Sequence, residues 1–366
     1  MNRLREKIGS LSPVENRTAE KYIDCKNRIN EYVDEKMAAR EDIDELIGYN
    51  PPEVMFDNHE KHVLFMGETF KFNEMRLLAD TLPWVYSVYR EKGFSYRYFQ
   101  VSISCWIDAV KKFIPEEYNQ SIIEVYEWIE KHHEDIIALA EEAENDAVEV
   151  DEDWRPLFNE FIDALLIKEI DDCRAIIKEN ISSRDDLKNF AEKVIKPALY
   201  TVGFMWEQGN ITVAEEHRAS SIVSRILSSY HMEYLHPAKT KGRAVVSSVA
   251  NEYHEIGARI VADFLEFDGW DVSFLGASTP VDELVEFLEK EQPDLLGLSV
   301  SMPYNVTALG EVIEAVRENE NIADVKILVG GRALNDHRYL LDNIDYDAFA
   351  QNGEEAAEIA RDWSSD

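Results

Sequence analysis

Between about residues 53 and 235, apolar positions recur every three or four residues, the spacing that gathers them on one face of a helix. Leu77, Leu78, Leu82, Val85, Val88 and Tyr89 make one such face, and Ile122, Val125, Tyr126 and Ile129 another. Leu187, Phe190, Val194, Ala198, Val202 and Met205 form a third stripe. Pro197 lies inside that stripe and is expected to kink its helix, because it has no N–H to donate and its ring crowds the preceding turn. Gly209 suits a stop after Trp206, and Thr212 with Glu215 three residues on predicts a capping box for the next helix. Residues 1–52 have helical spacing but few large apolar side chains, so they read as a peripheral helical arm closed by Asn50-Pro51-Pro52.

After His236-Pro237 the pattern changes. Runs at 244–250, 270–276, 294–301, 325–331 and 346–351 read as five strands. Helical patterns at 258–267 and 281–291 lie between them, the second opened by Thr279 as N-cap and Pro280 at the first helical position. Strands alternating with helices predict a parallel sheet covered on both faces, with ligands bound beyond the carboxyl ends of its strands. The expected organisation is therefore multidomain. A helical arm (1–52) and a helical domain (53–148) come first, then an acidic linker at 143–153. A four-helix-type bundle (152–238) and an α/β domain with a five-stranded, flavodoxin-like parallel sheet (239–366) follow.

Charge narrows the partners. With 38 Lys and Arg against 73 Asp and Glu, the net charge is −35, which opposes binding to nucleic-acid phosphates or anionic lipids. No apolar run is long enough to span a bilayer, and the opening MNRLREKIGS lacks a signal-peptide core, so a cytoplasmic protein is expected. Cys25, Cys105 and Cys173 are isolated and read as ordinary thiols. A small molecule or another protein is the expected partner.

The loops at the predicted ligand edge hold the candidate chemistry. Glu252-Tyr253-His254-Glu255-Ile256-Gly257 follows the first strand. An imidazole there can coordinate a metal through one ring nitrogen while the carboxylate two residues earlier accepts a hydrogen bond from the other. Gly257 lets the following helix begin close to whatever fills the crevice. The third strand ends in Ser299-Val300-Ser301 and the fourth in Gly330-Gly331, hydroxyls and bare backbone suited to a long polar ligand tail.

The ordered set ExHxxG, SxS and GG resembles the cobalamin-binding fold of methionine synthase, the B12-dependent mutases and the B12 photoreceptors, whose pattern is DxHxxG, SxL and GG. The resemblance implies that His254 is the lower cobalt ligand and Glu252 its hydrogen-bonding partner. Ser299, Ser301, Gly330 and Gly331 then line the slot for the displaced nucleotide tail. Glu252 stands where the family has Asp, one methylene longer, and Ser301 where it has Leu. In the helical block, Trp206 is followed after nine residues by Glu216-His217. This W-x9-EH spacing looks like the cap of the adenosylcobalamin photoreceptors, and implies that Trp206, Glu216 and His217 surround the upper axial group. Some of those photoreceptors carry a histidine directly after the Trp; here it is Glu207.

The stretch Trp84, Tyr86, Tyr89, Phe94, Tyr96, Tyr98, Phe99 and Trp106 gives the N-terminal half a layout similar to photocobilins, which also bind a bilin. Biliverdin is thus a second expected chromophore, with Arg90 and Arg97 as candidates for its propionates. His59 and His62 read as surface residues. The expectation is a non-enzymatic, self-associating light sensor that binds adenosylcobalamin and signals to a protein partner. The alternative is a corrinoid methyl-carrier of a methyltransferase system.

Overall fold

The computed structural model describes residues 2–9, 11–142, 148, 150–167, 170–234, 240–342 and 344–364. The chain divides into two compact units, Met1–Asp146 with Met205–Ile211, and Ala147–Phe204 with Thr212–Asp366. Residues 143–147 and 149 of the expected linker, and the His236-Pro237 junction, lie outside the described residues. Among the described residues no helix is long and apolar enough to cross a membrane.

The first unit is helical: α1 (Asn2–Ile8), α2 (Asn16–Ala38), α3 (Ile43–Leu46), α4 (Pro52–Phe72), α5 (Met75–Glu91), α6 (Tyr96–Phe113), α7 (Glu116–Lys131) and α8 (His133–Glu142). The opening residues are not peripheral as the sequence suggested. Tyr22, Ile29, Val33 and Met37 of α2 are fully buried in one core with Met66, Phe70, Trp106 and Tyr126. Their spacing of seven, four and four residues is a narrow apolar stripe, enough to seat a helix whose other faces are charged.

The aromatic-rich stretch packs largely on itself. Tyr86 stacks on Phe99 with centroids 3.7 Å apart, and Tyr89, Phe94 and Tyr98 meet one another at 5.0–6.0 Å. Each buried ring contributes roughly 1.5–3 kcal/mol. His59 is buried too, its Nδ1 2.5 Å from Asp34 and its Nε2 2.8 Å from the Tyr98 hydroxyl. His62 is half-buried against Trp106 and meets the Tyr126 hydroxyl at 3.2 Å. Both histidines therefore belong to the helix packing and not to the surface. Arg97 pairs with Asp42, and the exposed Arg90 lies over the ring of Tyr96.

The second unit begins with α9 (Arg155–Ile167), α10 (Ile170–Asn180) and α11 (Arg184–Phe190). A π-helical turn, Ala191–Ile195, leads into α12 (Lys196–Glu207), and α13 (Val213–Tyr234) follows. The expected disturbance at Pro197 takes the form of that π turn: lacking an N–H, Pro197 leaves a carbonyl one turn back without its usual donor, and the helix widens there. The α12–α13 junction follows its sequence signals. Gly209 has φ +68°, Asn210 N bonds the Met205 carbonyl at 2.9 Å, and Thr212 and Glu215 cap each other reciprocally.

The rest is α/β: β1 (Arg243–Ser248), α14 (Ile256–Phe267), β2 (Asp271–Gly276), α15 (Val281–Glu291), β3 (Leu295–Ser299), α16 (Val306–Glu318), β4 (Lys326–Gly330), α17 (Arg332–Asp336), β5 (Ala348–Ala350) and α18 (Gly353–Trp363). Among the described residues the sheet has five strands, all parallel, in the order β2-β1-β3-β4-β5. Helices α14 and α18 pack together, as do α15 and α16, so both faces are covered. The strand order reverses between β1 and β3, which opens a crevice at their carboxyl ends. Thr279 does not cap α15; its hydroxyl pairs with Ser247 at 2.8 Å, and Pro280 precedes the first helical residue.

One ion-pair cluster joins the helical block to this layer. His231 on α13 lies 2.9 Å from Asp263 and 2.9 Å from Glu266 on α14. Asp263 first, then Glu266, push its pKa up to about 9 against the opposing effect of burial. An unfolded imidazole titrates near 6.5, so this stabilisation is full below that pH and is lost as pH rises through about 9. It is on the order of 2–3 kcal/mol. The urea midpoint of the native chain is expected to fall between pH 6.5 and 9.5 by more than that of a His231→Gln variant; equal slopes would remove this role from His231.

Candidate functional site

The loop after β1 is built around a buried carboxylate. Glu252 is completely inaccessible. Its Oε1 accepts from the His254 backbone N–H at 3.0 Å and lies 2.6 Å from His254 Nδ1. Its Oε2 accepts from Ser301 N and Met302 N, each at 2.9 Å, and from Asn305 Nδ2 at 3.1 Å. The Glu252 carbonyl in turn accepts from Ser278 N at 2.9 Å. One residue thus ties together the loops after β1, β2 and β3, its side chain bridging β1 and β3 and its backbone carbonyl reaching β2. Burial raises the pKa of Glu252, but the His254 hydrogen bond, the charge of that imidazole and the loop N–H groups outweigh it and hold the pKa low.

The extra methylene of Glu252 therefore has a use. It lets one carboxylate reach the imidazole with one oxygen and the β3 loop with the other. Ser301 contributes its backbone N–H to this clamp, a role independent of its departure from the Leu of the motif. Asn305 and Ser278 were not legible as site residues. Asn305 acts through a loop whose fold the sequence does not spell out, and Ser278 sits at φ +52° with its hydroxyl accepting from Asn251 N at 3.1 Å.

His254 is held by one nitrogen only. With Nδ1 on Glu252, no described residue bonds Nε2, and 61% of the side chain is exposed. The Glu252 hydrogen bond raises its pKa; burial opposes this, the charges of Glu252 and Glu216 add to it, and Arg332 works against it. Glu216, in the first turn of α13, is near enough for its charge to act on His254. Glu216 is half-buried, accepting from Ser220 at 2.7 Å and lying 2.5 Å from Nδ1 of His217, which is exposed. Arg332, which follows the Gly330-Gly331 pair, lies with its guanidinium 5.1 Å from the ring centre of Tyr200.

Other predicted residues lie at the same strand ends. Ser299 ends β3 in register with Ser248 of β1 on one side and Gly330 of β4 on the other. The Ser248 hydroxyl is buried and has no hydrogen-bond partner among the described residues. Gly330 and Gly331 are required by the chain itself: a Cβ on Gly330 would stand 2.8 Å from the Ala350 carbonyl, and Gly331 has φ +112° and lies against Val300. At Gly257, by contrast, a Cβ would meet nothing within 4 Å. Trp206 falls in the other compact unit. Its segment, Met205–Ile211, belongs to the N-terminal unit, where the Lys92 ammonium lies 4.0 Å from its ring centre.

Residues 242–361 match the B12 binding domain family, and residues 157–229 match a second B12 binding domain family. The chain carries B12 binding domains. Dimethylamine corrinoid protein 2 of Methanosarcina acetivorans is 27% identical over 173 residues, 47% of this chain and 79% of its own length. The HTH-type transcriptional repressor CarH of Myxococcus xanthus is 29% identical over 181 residues, 49% of this chain and 58% of its own. Among solved structures, Methanosarcina barkeri monomethylamine corrinoid protein covers 57% of this chain and 99% of its own at 22% identity, with a TM-score of 0.50. That likeness is one of fold.

The residues present fit a cobalamin. A metal needs a neutral imidazole nitrogen, and the hydrogen bond at Nδ1 leaves Nε2 for that purpose. The buried, unpaired Ser248 hydroxyl beside Ser299, together with the space at Gly257, is what a polar ligand tail at the β1–β3 crevice satisfies and fills.

Proposed function

We propose that the protein is a cobalamin-dependent light sensor with adenosylcobalamin as chromophore, and not an enzyme. In this reading His254 is the lower cobalt ligand through Nε2, and Glu252 orients it. Gly257, Ser299, Ser301, Gly330 and Gly331 bound the slot for the nucleotide tail, while Trp206, Glu216 and His217 meet the upper axial group. Adenosylcobalamin, when bound, supplies a cobalt–carbon bond that visible light breaks.

The observation that carries the reading is the grouping of Trp206. The segment bearing it joins α12 to α13, yet it packs with the N-terminal helices. A side chain that contacts the upper ligand and also belongs to the N-terminal unit links cofactor state to that unit, which is what a signalling element requires. With adenosylcobalamin bound, Trp206, Glu216 and His217 would be the residues that respond to loss of its adenosyl group. Glu207 carries no imidazole, so the residue after Trp206 offers no second histidine to the cobalt. The N-terminal aromatic residues stack on one another, so this reading needs no bilin.

A second reading, a corrinoid methyl-carrier, is favoured by the resemblance to the dimethylamine corrinoid proteins. One experiment separates the two. The chain is loaded with adenosylcobalamin in the dark, then illuminated, and its absorbance and solution mass are followed. Light cleavage of the cofactor changes the spectrum under either reading; the sensor reading expects that change to be accompanied by a change in self-association or in a partner complex. A protein whose solution mass and partner complexes ignore the light, and which, loaded instead with methylcobalamin, gives its methyl group to a thiol in the presence of a methyltransferase, supports the carrier.

A further inference from the structure

We propose that Lys92 is the positioning residue through which the N-terminal unit holds Trp206 and registers what Trp206 contacts. This rests on the reading of Trp206 given above.

Lys92 directly follows α5, and both ends of the residue are fixed. Its carbonyl accepts a hydrogen bond from Asn50 Nδ2 at 2.7 Å, and the same amide group bonds the Ile47 carbonyl at 2.7 Å. Gly93 follows at φ +91° and lies against Gly48, so the backbone at the end of α5 is clamped to the turn before α4. The side chain runs the other way, to the face of the Trp206 indole. An ammonium over an aromatic face is attracted by the ring quadrupole, and more strongly as it leaves water. Lys92 is half-buried; burial and the charge of Lys61 lower its pKa, and Glu207, beside Trp206, opposes them.

A backbone contact supports the same junction. A Cβ on Gly209 would stand 3.4 Å from the Glu91 carbonyl, and Gly209 has φ +68°, so the segment crosses the end of α5 closely where only glycine is comfortable. The segment therefore touches α5 through a side chain and through its backbone. It also sets where α12 ends and where α13, with Glu216 in its first turn and His217 directly after, begins. Lys92 is a contact of this junction that depends on a positive charge. Arginine preserves that requirement, and methionine keeps the apolar stem without it.

The test uses the full chain in the dark with adenosylcobalamin as the probe. Amide hydrogen exchange is read over residues 86–96 with and without the probe, and cofactor binding is followed by absorbance. In the native chain, the probe is expected to change exchange over this stretch by roughly fivefold, the factor for a contact of this kind. Lys92→Met is expected to bind the cofactor with an unaltered spectrum but to show no exchange change, and Lys92→Arg to restore it. A native stretch that ignores the probe, or a Lys92→Met chain that responds like the native one, overturns the proposal. Illumination forms a separate arm: a stretch that responds to the probe but not to light keeps the Lys92 link and removes the light-sensing reading.

Discussion

A His254→Ala chain is expected to bind cobalamin at least about 100-fold more weakly and to lose any absorbance feature of imidazole-bound cobalt. The magnitude follows from the structure around the residue. Partners that merely orient a metal ligand already contribute roughly 10- to 100-fold, and His254 is the group so oriented, its Nδ1 2.6 Å from a carboxylate that water cannot reach. The side chain is largely exposed, so its removal leaves no buried cavity, but it takes one partner from the buried Glu252 carboxylate, and the variant is expected to melt below the native chain and above Glu252→Ala. Spectral titration with the probe and a thermal melt together check this. Unchanged affinity in a folded His254→Ala chain would remove the residue from the site.

Glu252→Ala is expected to lose more stability than His254→Ala, with binding falling as well. Truncation leaves the N–H groups of His254, Ser301 and Met302, and the Asn305 amide, without the acceptor they share. Unpaired buried donors and a broken buried carboxylate contact place the loss at roughly 3–5 kcal/mol. For a unit of this size that is a fall in melting temperature of roughly 10 °C. Glu252→Asp keeps the charge but shortens the reach, so it cannot serve both the imidazole and the β3 loop. Its melting temperature is expected between those of the native and alanine chains. A Glu252→Ala chain that melts like the native one would mean that the loops after β1 and β3 are held by other contacts.

The contrast between the two variants reflects what the sequence could and could not reveal. His254 and Glu252 were legible because they fall two residues apart, directly after a strand whose apolar run is unambiguous. The same logic found the ends of β3 and β4. Asn305, Ser278 and the Ser301 and Met302 N–H groups were not legible, because their roles depend on how short loops fold over one carboxylate. In the N-terminal unit the difficulty was of another kind. Tyr22, Ile29, Val33 and Met37 are too widely spaced to stand out among charged neighbours, yet they face one core. His59 looked like a surface residue because its partners, Asp34 and Tyr98, lie on other helices. The aromatic run was equally compatible with a chromophore pocket and with rings that fill one another's space.

The capping box and the glycine stop fixed the α12–α13 junction in advance, since both are local signals. What no local signal gave is that this junction packs with the end of α5, a contact between residues more than a hundred positions apart.

The central claim, that His254 is the lower ligand of a bound cobalamin, is tested most directly by electron paramagnetic resonance of the cobalt(II) form in chains with ordinary and nitrogen-15 histidine. The account predicts that each cobalt line, a triplet when the coordinating nitrogen is nitrogen-14, becomes a doublet on labelling, and that the His254→Ala chain shows no such dependence. A triplet that survives histidine labelling would mean that the cofactor's own base, and not His254, holds the cobalt.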